Sequence, residues 1–312
     1  MTSTVQSPID YIERTRALYS SLDYPAYTWV HEEEAPLSKL DKPLDQCKVG
    51  LICSGGIYLK GQVAFHYKDD TSYRVIQSNC SQEDLRATHF AYDLKDARED
   101  INVVFPLQTL RKLATEGLIK GLADRVYSFM GGIYSSRKVR EYLAPSLAGQ
   151  AIKDEVDLVV LVPACPVCHQ SVGLIAKQIE QQGIPTVCLS SALSITQSVK
   201  APRAVYIDYP LGHTAGKPND PGDQEFILRR ALSAIADITE PGSVIDLERR
   251  WSDSDEWKDA VMRPSKGRSE KTSSDDRIER FSTPQYQTSE DAEVADPHCP
   301  TCVFTEKALD KG

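Results

Sequence analysis

The stretch LVVLVPACPVCHQSVGLIAKQIEQQGIP, residues 158–185, joins a buried-strand pattern, a cysteine pair and a helix pattern. Its opening run is entirely apolar and rich in valine, which is typical of a parallel-sheet strand covered on both faces. Apolar residues at helical spacing run through SVGLIAKQIEQQG (171–183), which ends at a glycine, and IPTVCLSS predicts the next strand. Strand, helix and strand in this order predict a βαβ unit.

The same alternation extends to both sides of this unit. Further strands are predicted in CKVGLICSGG (47–56), INVVF (101–105), VYSFMGGIY (126–134) and AVYIDYPLG, and further helices after Pro106, in SSRKVREYLAPSLAGQAIKDE with a break near Pro145, and around 223–238. We therefore predict an α/β fold, with helices on both faces of a doubly wound, mostly parallel sheet. Two similar α/β halves are an alternative organisation.

Composition divides the chain into four segments. We predict an N-terminal helix and connection over 1–46, an α/β catalytic region over 47–250, a polar flexible linker over 251–297 and a tail with a C-x-x-C pair over 298–312. Two lobes with a break near 135–155 are an alternative for the catalytic region. After about residue 262 the chain is rich in Ser, Asp and Glu, with too little apolar surface to offset the entropy of ordering it.

Charge and hydropathy exclude several function classes. The net charge of −9 argues against non-specific nucleic-acid binding, which requires a basic surface. No apolar run is long enough to span a membrane, and the N-terminus lacks the pattern of a signal peptide. We therefore expect a cytoplasmic protein, a homo-oligomer whose partners are a small-molecule substrate and a protein thiol reductant or partner subunit.

Eight cysteines are present, and four of them form two C-x-x-C pairs, Cys165/Cys168 and Cys299/Cys302. In a cytosolic chain such pairs indicate redox or metal chemistry. Cys165 follows a predicted strand just before a helix, where free N–H groups and the helix dipole acidify a thiol. Cys168, one turn on, is placed to attack a sulfur adduct on Cys165 and release it as a disulfide. His169 is a candidate to give or take a proton.

A metal site is the alternative that the residues leave open. Cys165, Cys168, Cys299 and Cys302 make a four-thiolate set for zinc, with His169 or His298 as substitutes. Copper or iron would suit the same donors. The pairs lie far apart in the sequence, which disfavours this reading.

Two glycine-rich segments, CSGGIYLKG (53–61) and FMGGIYSS (129–136), each follow a predicted strand. Neither has the spacing of a dinucleotide or phosphate motif, but both allow a ligand to approach the backbone closely. Ligands of open α/β sheets bind at the carboxyl ends of strands, so these segments are candidate walls of one crevice with Cys165. The candidate substrate contacts are Ser54, Gly55, Gly56, Gly131 and Gly132.

Charged and titratable residues supply further candidates. Arg74 and Arg98 are candidates to bind a carboxylate, since a guanidinium does so with two parallel hydrogen bonds. His89 and His213 are candidates for acid–base chemistry, although each taken alone is more typical of a satisfied structural histidine. Asp100 precedes an apolar run and is predicted to cap a turn.

A series of segments resembles a known family. KVGLICSGGIYLKGQ, DTSYRVI, DAREDINVVFPLQTLRKLATEGLIKGLADRVYSFMGGI, LVVLVPACPVCHQSVGLIAKQIEQQGIPTVCLSS and YPLGHTAGKPNDPGDQEFILRRAL occur in order between about residues 47 and 238. Together they resemble the selenoprotein B subunits of glycine, sarcosine, betaine and D-proline reductases.

The resemblance implies a reaction and roles for the cysteine pair. Cys165 stands where the family carries selenocysteine, and Cys168 matches its downstream cysteine. The implied chemistry is reductive cleavage of a C–N bond α to a carboxylate: the nucleophile attacks carbon, the amine leaves and a thiol completes the reduction. The family's partner subunit, which carries a pyruvoyl group in the glycine and proline enzymes, is a separate chain. No cofactor beyond a thiol or dithiol reductant is expected.

Three hypotheses follow. In the first, the chain is a cysteine-dependent reductase, with the tail pair Cys299/Cys302 as a shuttle that reduces a Cys165–Cys168 disulfide. In the second, it is a metal-binding enzyme. In the third, it is a non-catalytic subunit or sulfur carrier of a larger complex.

Overall fold

The computed structural model of the protein describes residues 6–21, 23, 25–67, 69–262 and 283–306. The strands are β1 (Lys48–Cys53), β2 (Ile57–Leu59), β3 (Tyr73–Gln77), β4 (Leu85–Ala87), β5 (Gly121–Leu122), β6 (Arg125–Phe129), β7 (Leu158–Val162), β8 (Thr186–Ser190), β9 (Arg203–Asp208), β10 (Ser243–Arg250) and β11 (Cys302–Val303). The helices are α1 (Tyr11–Ser21), α2 (Lys95–Glu99), α3 (Leu107–Thr115), α4 (Ser136–Lys138), α5 (Ala144–Lys153), α6 (Pro166–Glu180), α7 (Leu193–Ser198), α8 (Pro221–Asp237), α9 (Trp257–Ala260) and α10 (Ser289–Glu293).

One large sheet organises the described chain. Its strand order is β10-β9-β8-β7-β1-β6-β3-β11, with β5 also paired to β1, and β2 and β4 form a separate small sheet. All neighbours from β10 to β6 run parallel, whereas β3 and β11 are antiparallel additions at one edge. The prediction of an α/β fold with a mostly parallel sheet is confirmed. Strands from both sides of residues 135–155 lie in this one sheet.

Strand β7 shows why the sheet is covered on both faces. Its residues alternate between two cores: Val159 and Leu161 pack with residues of α5 and α6, and the other three pack with residues of α3 and α8. All five are buried, which stabilises the fold by about 1.5–3 kcal/mol for each side chain. An apolar run without polar alternation is therefore what this position requires.

Helix α6 begins at Pro166, earlier than the predicted start at residue 171, because proline suits the first turn and Cys165 caps it. The longest helix, α8, also has proline in its first turn, and its capping Asp220 accepts the N–H of Asp223. Among the described residues no helix is both long and apolar enough to cross a membrane.

Two segments near the site differ from the sequence prediction. INVVF (101–105) was predicted as a strand but contains a 3₁₀ turn over Ile101–Val103. The predicted capping by Asp100 explains it, since the carboxylate accepts the N–H of Asn102 and fixes the turn. The apolar run resembles a strand only because the turn is buried on all sides. The second segment is β3, for which no strand was predicted and which pairs antiparallel with β6.

The C-terminal region also differs from its prediction where it is described. Part of the predicted flexible linker, residues 263–282, and the last residues of the tail, 307–312, lie outside the described residues. Residues 283–306 pack against the sheet: Gln285 donates its N–H to Phe65, α10 places Asp291 beside Arg86, and β11 pairs with β3. Specific polar contacts, which composition does not reveal, hold this segment.

Candidate active site

Three adjacent parallel strands bring the predicted crevice residues together. Cys165 follows β7, Ser54 and the glycine pair at 55–56 follow β1, and the glycine pair at 131–132 follows β6. Because these strands run parallel, all three segments meet at the same edge of the sheet. The Ser54 hydroxyl accepts the Ala164 N–H at 3.2 Å, which ties the β1 turn to the β7 turn.

Cys165 is the N-cap of α6. Its backbone is extended, with φ −110° and ψ 175°, and its Sγ accepts the N–H of Cys168 at 3.3 Å. A thiol replaces the usual hydroxyl or carboxylate of a capping residue here. The arrangement places the sulfur of Cys165 at the positive end of the helix, and the sulfur of Cys168 lies one turn further along the helix.

Cys168 Sγ lies between the β1 turn and the loop after β4. It is 3.5 Å from Nε2 of His89 and 3.6 Å from the carbonyl oxygen of Ser54. A Cβ on Gly131 would lie 2.7 Å from this sulfur and 2.5 Å from the Ser54 Cβ, so only glycine fits there. The glycine-rich end of β6 therefore makes room for the cysteine pair.

The glycine pair after β1 forms the other wall. Gly56 has φ +70°, and a Cβ there would lie 1.8 Å from the carbonyl oxygen of Thr88. Glycine is thus required both by the backbone conformation and by the close approach of the loop that carries His89. The carbonyl of Gly55 accepts a hydrogen bond from the Tyr92 hydroxyl at 2.8 Å.

A backbone hydrogen bond fixes the tautomer of His89. Nδ1 accepts the N–H of Ala91 at 2.9 Å, and a backbone amide can only donate. Nδ1 therefore carries no proton, and the neutral ring has its proton on Nε2, the nitrogen that faces Cys168. The Cys168 sulfur thus faces a hydrogen-bond donor.

The two thiols have opposite pKa shifts. Burial disfavours a charge on Cys168, but the hydrogen bond from Cys165, together with the electrostatic effect and the hydrogen bond of His89, outweighs it and leaves the pKa of Cys168 well below that of an ordinary thiol. Burial and the neighbouring charge on Cys168 raise the pKa of Cys165 well above its usual range. The pair therefore loses a first proton readily and a second one with difficulty, so it carries a single negative charge.

His169 lacks a free ring nitrogen. Nδ1 donates to the carbonyl of Cys165 at 2.7 Å, and Nε2 accepts the N–H of Ser191 at 3.0 Å. Burial lowers the pKa of His169 to about 4, so the ring is neutral near pH 7. The structure thus gives His169 a structural position between two backbone segments, in contrast to the predicted proton exchange with the thiols.

Aromatic residues cover the cysteine pair. Both sulfur-bearing side chains are fully buried, at 0% exposure. Gln170 on α6 donates to the Tyr27 hydroxyl at 2.8 Å and accepts the N–H of Val30 at 2.8 Å, which holds the N-terminal segment over the helix. Reactants therefore reach the thiols only after a displacement of this cover. Its ring contacts run in sequence through His89, Phe90, Tyr134, Tyr27 and Trp29.

Two predicted substrate contacts have other partners. The buried Arg74 donates to the carbonyls of Val63 at 2.5 Å and Ala64 at 2.9 Å, and burial lowers its pKa to about 10. His213 Nε2 lies 2.8 Å from the carboxylate of Asp96. The structure does not bring either side chain into contact with the cysteine pair.

The tail pair lies at the far edge of the sheet. Cys299 and Cys302 form a disulfide, and His298 is exposed. Four interstrand spacings, roughly 19 Å, separate β11 from β7, so the four cysteines do not form one metal site in the described structure. The row of paired residues across these strands is Cys302, Arg74, Ser128, Cys53 and Val162.

Among the described residues, one set of metal-type donors is close together. The donor atoms of His89, Cys165 and Cys168 lie within 4.8 Å of one another. A metal-bound histidine nitrogen needs its lone pair, yet the Ala91 bond places the ring proton on the nitrogen that faces the sulfurs. The donors present therefore do not fit a metal in this conformation.

Comparison with known proteins identifies the family. The sequence pattern of the glycine/sarcosine/betaine reductase selenoprotein B family matches residues 24–164. The D-proline reductase subunit gamma of Acetoanaerobium sticklandii is 34% identical over 206 residues, which cover 66% of this chain and 85% of that subunit. The chain belongs to the selenoprotein B family of these reductases.

Other relatives in the selenoprotein B family are longer. The glycine reductase component B subunit gamma of Symbiobacterium thermophilum is 33% identical, over 64% of this chain and 48% of its own length. The sarcosine reductase component B subunit beta of Peptoclostridium acidaminophilum is 28% identical, over 65% of this chain and 48% of its own length. The chain thus spans about half of these relatives, and no solved structure matches it.

For this member of the selenoprotein B family, sequence reasoning found the cysteines and the glycines but missed their cover. His89 was considered without a link to Cys168, and Tyr27, Phe90 and Tyr92 were not considered. The only sequence signal was the aromatic cluster THFAY at 88–92, in a segment without helical or strand periodicity. Irregular segments carry no pattern that reports which element they contact.

Proposed function

We propose that this chain is a reductase component in which the Cys165–Cys168 dithiol reductively cleaves the C–N bond of a small amino-acid-derived carboxylate. The observation that carries the proposal is the geometry of the pair: two free thiols lie one turn apart at the start of α6, where the Cys165 sulfur accepts the Cys168 N–H at 3.3 Å and the Cys168 sulfur lies 3.5 Å from His89. Their position at the carboxyl edge of a parallel sheet is where such folds bind ligands. The reductase complexes named for its relatives point to the same chemistry.

In the first step Cys165 attacks the carbon that carries the amino group. Its proton passes to the Cys168 thiolate, a new S–C bond forms, and the C–N bond breaks. The bonding electron pair leaves with nitrogen, so an amino group that enters as an ammonium departs as a neutral amine. Cys168 carries the charge of the resting pair and is therefore the group that can accept the proton of Cys165. Because Cys168 has the lower pKa of the two thiols, this transfer is unfavourable by itself and is completed only as the S–C bond forms.

In the second step Cys168 attacks the sulfur of Cys165. The S–C bond breaks, its electron pair remains on carbon, and the proton from Cys168 completes a C–H bond. The dithiol has then supplied two electrons and is oxidised to a disulfide, while the substrate has exchanged C–N for C–H. A thiol or dithiol reductant restores the pair.

The names of the relatives suggest candidate substrates and partners. They are subunits of D-proline, glycine, sarcosine and betaine reductase complexes. We therefore propose glycine, sarcosine, betaine and D-proline as the first compounds to test, and a second subunit of a reductase complex as partner.

Trapping of the S–C intermediate tests the proposal. In Cys168→Ser the second step is blocked and the base for Cys165 is absent. Incubation with the true substrate above about pH 8.5, where a thiol ionises without a base, should therefore leave a covalent adduct that maps to Cys165 by peptide mass. Cys188→Ser, which changes a buried core cysteine of β8, is the matched control and should show no adduct. Each chain is tested alone and with its co-purifying proteins. An adduct absent from Cys168→Ser under both conditions, or found on another residue, contradicts the proposal.

A further inference from the structure

The proposed first step requires the charge of the pair to lie on Cys168. The helix N-terminus favours a charge on the capping sulfur, and that sulfur belongs to Cys165. A second interaction must therefore favour Cys168. The candidate is His89, whose Nε2 is 3.5 Å from the Cys168 sulfur.

The surroundings of His89 restrict it to one role. The Ala91 N–H occupies Nδ1, and a doubly protonated ring would place two N–H groups against each other there. The ring therefore presents a neutral N–H donor to Cys168, and it neither binds a metal nor removes a proton from the thiol through Nε2. The rings of Phe90 and Tyr92 pack at 5.3 Å and 4.9 Å and hold this orientation.

Other titratable groups lie near the pair. Among the described residues, the titratable side chains with electrostatic effects on the pair or from it include His89, Tyr92, Tyr27 and His169. Burial raises the pKa of Tyr92 well above its usual value and that of Tyr27 to about 12, so both stay neutral phenols. Both nitrogens of His169 are bonded to the backbone. His89 is thus the one histidine of this set with an N–H directed at a sulfur.

We infer that His89 is a positioning residue: its Nε2–H donates to Cys168 and keeps the charge of the pair there, so that Cys165 retains its proton until substrate arrives. The assignment rests on the proposed function only for its catalytic consequence. A Cys165 without charge does not react with oxidants or metals in the resting protein, and the attack is triggered by proton transfer to Cys168. The effect on the thiols themselves needs no substrate.

Titration of Cys168 without its partner tests this role. In Cys165→Ser only the thiol of Cys168 remains of the pair. The ionisation of Cys168 is followed by thiolate absorbance near 240 nm and by the pH dependence of iodoacetamide labelling mapped to Cys168. Three further chains carry a second change: His89→Leu removes the donor, His89→Gln keeps an N–H in the position of Nε2, and His31→Gln changes an exposed histidine. Circular dichroism confirms that each is folded.

The donor role predicts a specific order of midpoints. In Cys165→Ser the midpoint of Cys168 should lie below about 8.5, the value of an ordinary thiol. His89→Leu should raise it by at least about one pH unit, equivalent to tenfold less thiolate at neutral pH. His89→Gln should recover much of the shift, and His31→Gln should leave the midpoint unchanged.

Other outcomes overturn the inference. Equal midpoints with and without the His89→Leu change exclude a hydrogen bond to the thiolate, and equal shifts in His89→Leu and His89→Gln indicate that the ring only fills space. Because no substrate is present, a failure here leaves the adduct test of the proposed function unaffected. Conversely, absence of an adduct would not alter the titration.

Discussion

Two pairs of cysteines with the same C-x-x-C spacing lie in opposite surroundings in this protein. Cys165 and Cys168 are free thiols, fully buried at the start of a long helix and at the carboxyl edge of the central strands. Cys299 and Cys302 form a disulfide in a short segment at the antiparallel edge. The first pair has a helix N-terminus and a histidine donor beside it, whereas the second ends a packed peripheral segment. Spacing alone therefore does not assign a function.

The largest expected contrast between the pairs is in catalysis. Cys165→Ser should lower substrate turnover on the order of 10³-fold or more, because it removes the attacking atom. The double variant Cys299→Ser/Cys302→Ser should keep turnover within roughly twofold, since sites this far apart act independently. Steady-state assays with a protein dithiol reductant measure both. Single turnover without multiple turnovers in the double variant would instead establish the tail pair as a shuttle.

The buried histidine next to the first pair, His169, should make the stability of the protein depend on acid. His169 is buried and its pKa is lowered to about 4. As pH falls, this histidine is therefore protonated near pH 6.5 in the unfolded chain but stays neutral in the folded chain until about pH 4. Its stabilising contribution is fully present above pH 6.5 and is lost as pH falls towards 4, by about 2–3 kcal/mol at pH 4.5.

Urea denaturation at pH 7 and pH 4.5 checks this contribution. His169→Gln should lose less stability than the parent chain over that interval, and His298→Gln at the exposed tail should lose the same amount as the parent. A parallel loss in all three chains would show that His169 is not held neutral.

The close packing around the buried pair should be sensitive to a single methyl group. Gly131→Ala should lower the free energy of unfolding by roughly 1–3 kcal/mol and displace the Cys168 sulfur, since its Cβ would overlap that atom. Gly149→Ala is the matched control on α5, where a Cβ has open space and should stabilise the helix by up to about 1 kcal/mol. Chemical denaturation compares the two, and equal effects would show that the site is not tightly packed.

The smallest effect concerns access to the buried pair. Tyr27→Ala removes a cover residue that bonds to Gln170 and to the Tyr134 carbonyl, and should speed iodoacetamide labelling of the pair roughly tenfold. Phe304→Ala, beside the tail pair, should leave that rate unchanged. Peptide mass mapping reports the labelled residue. Unchanged labelling in Tyr27→Ala would mean that another segment controls access.

The sequence predicted the elements with strong periodicity and missed those set by contacts. The strand at 158–162 and the helix after it were predictable because burial on both faces demands an unbroken apolar run. The pairing of the glycine-rich turns with Cys165 followed from the rule for parallel strands. The contact of His89 with Cys168 and the attachment of residues 283–306 depend on irregular segments, whose partners no local pattern encodes. For the same reason the 3₁₀ turn at Ile101–Val103 resembled a strand.

A single turnover without added reductant tests the central claim most directly. The fully reduced chain is mixed anaerobically with each candidate amino acid and its co-purifying partner, and product and disulfides are quantified together. The account predicts, per chain, one equivalent of a product with a C–H bond in place of the C–N bond and a new disulfide between Cys165 and Cys168. The amine is released in equal amount, except from D-proline, whose ring opens and keeps the nitrogen in the product. Product formed while both thiols remain free, or a disulfide formed without product, would contradict it.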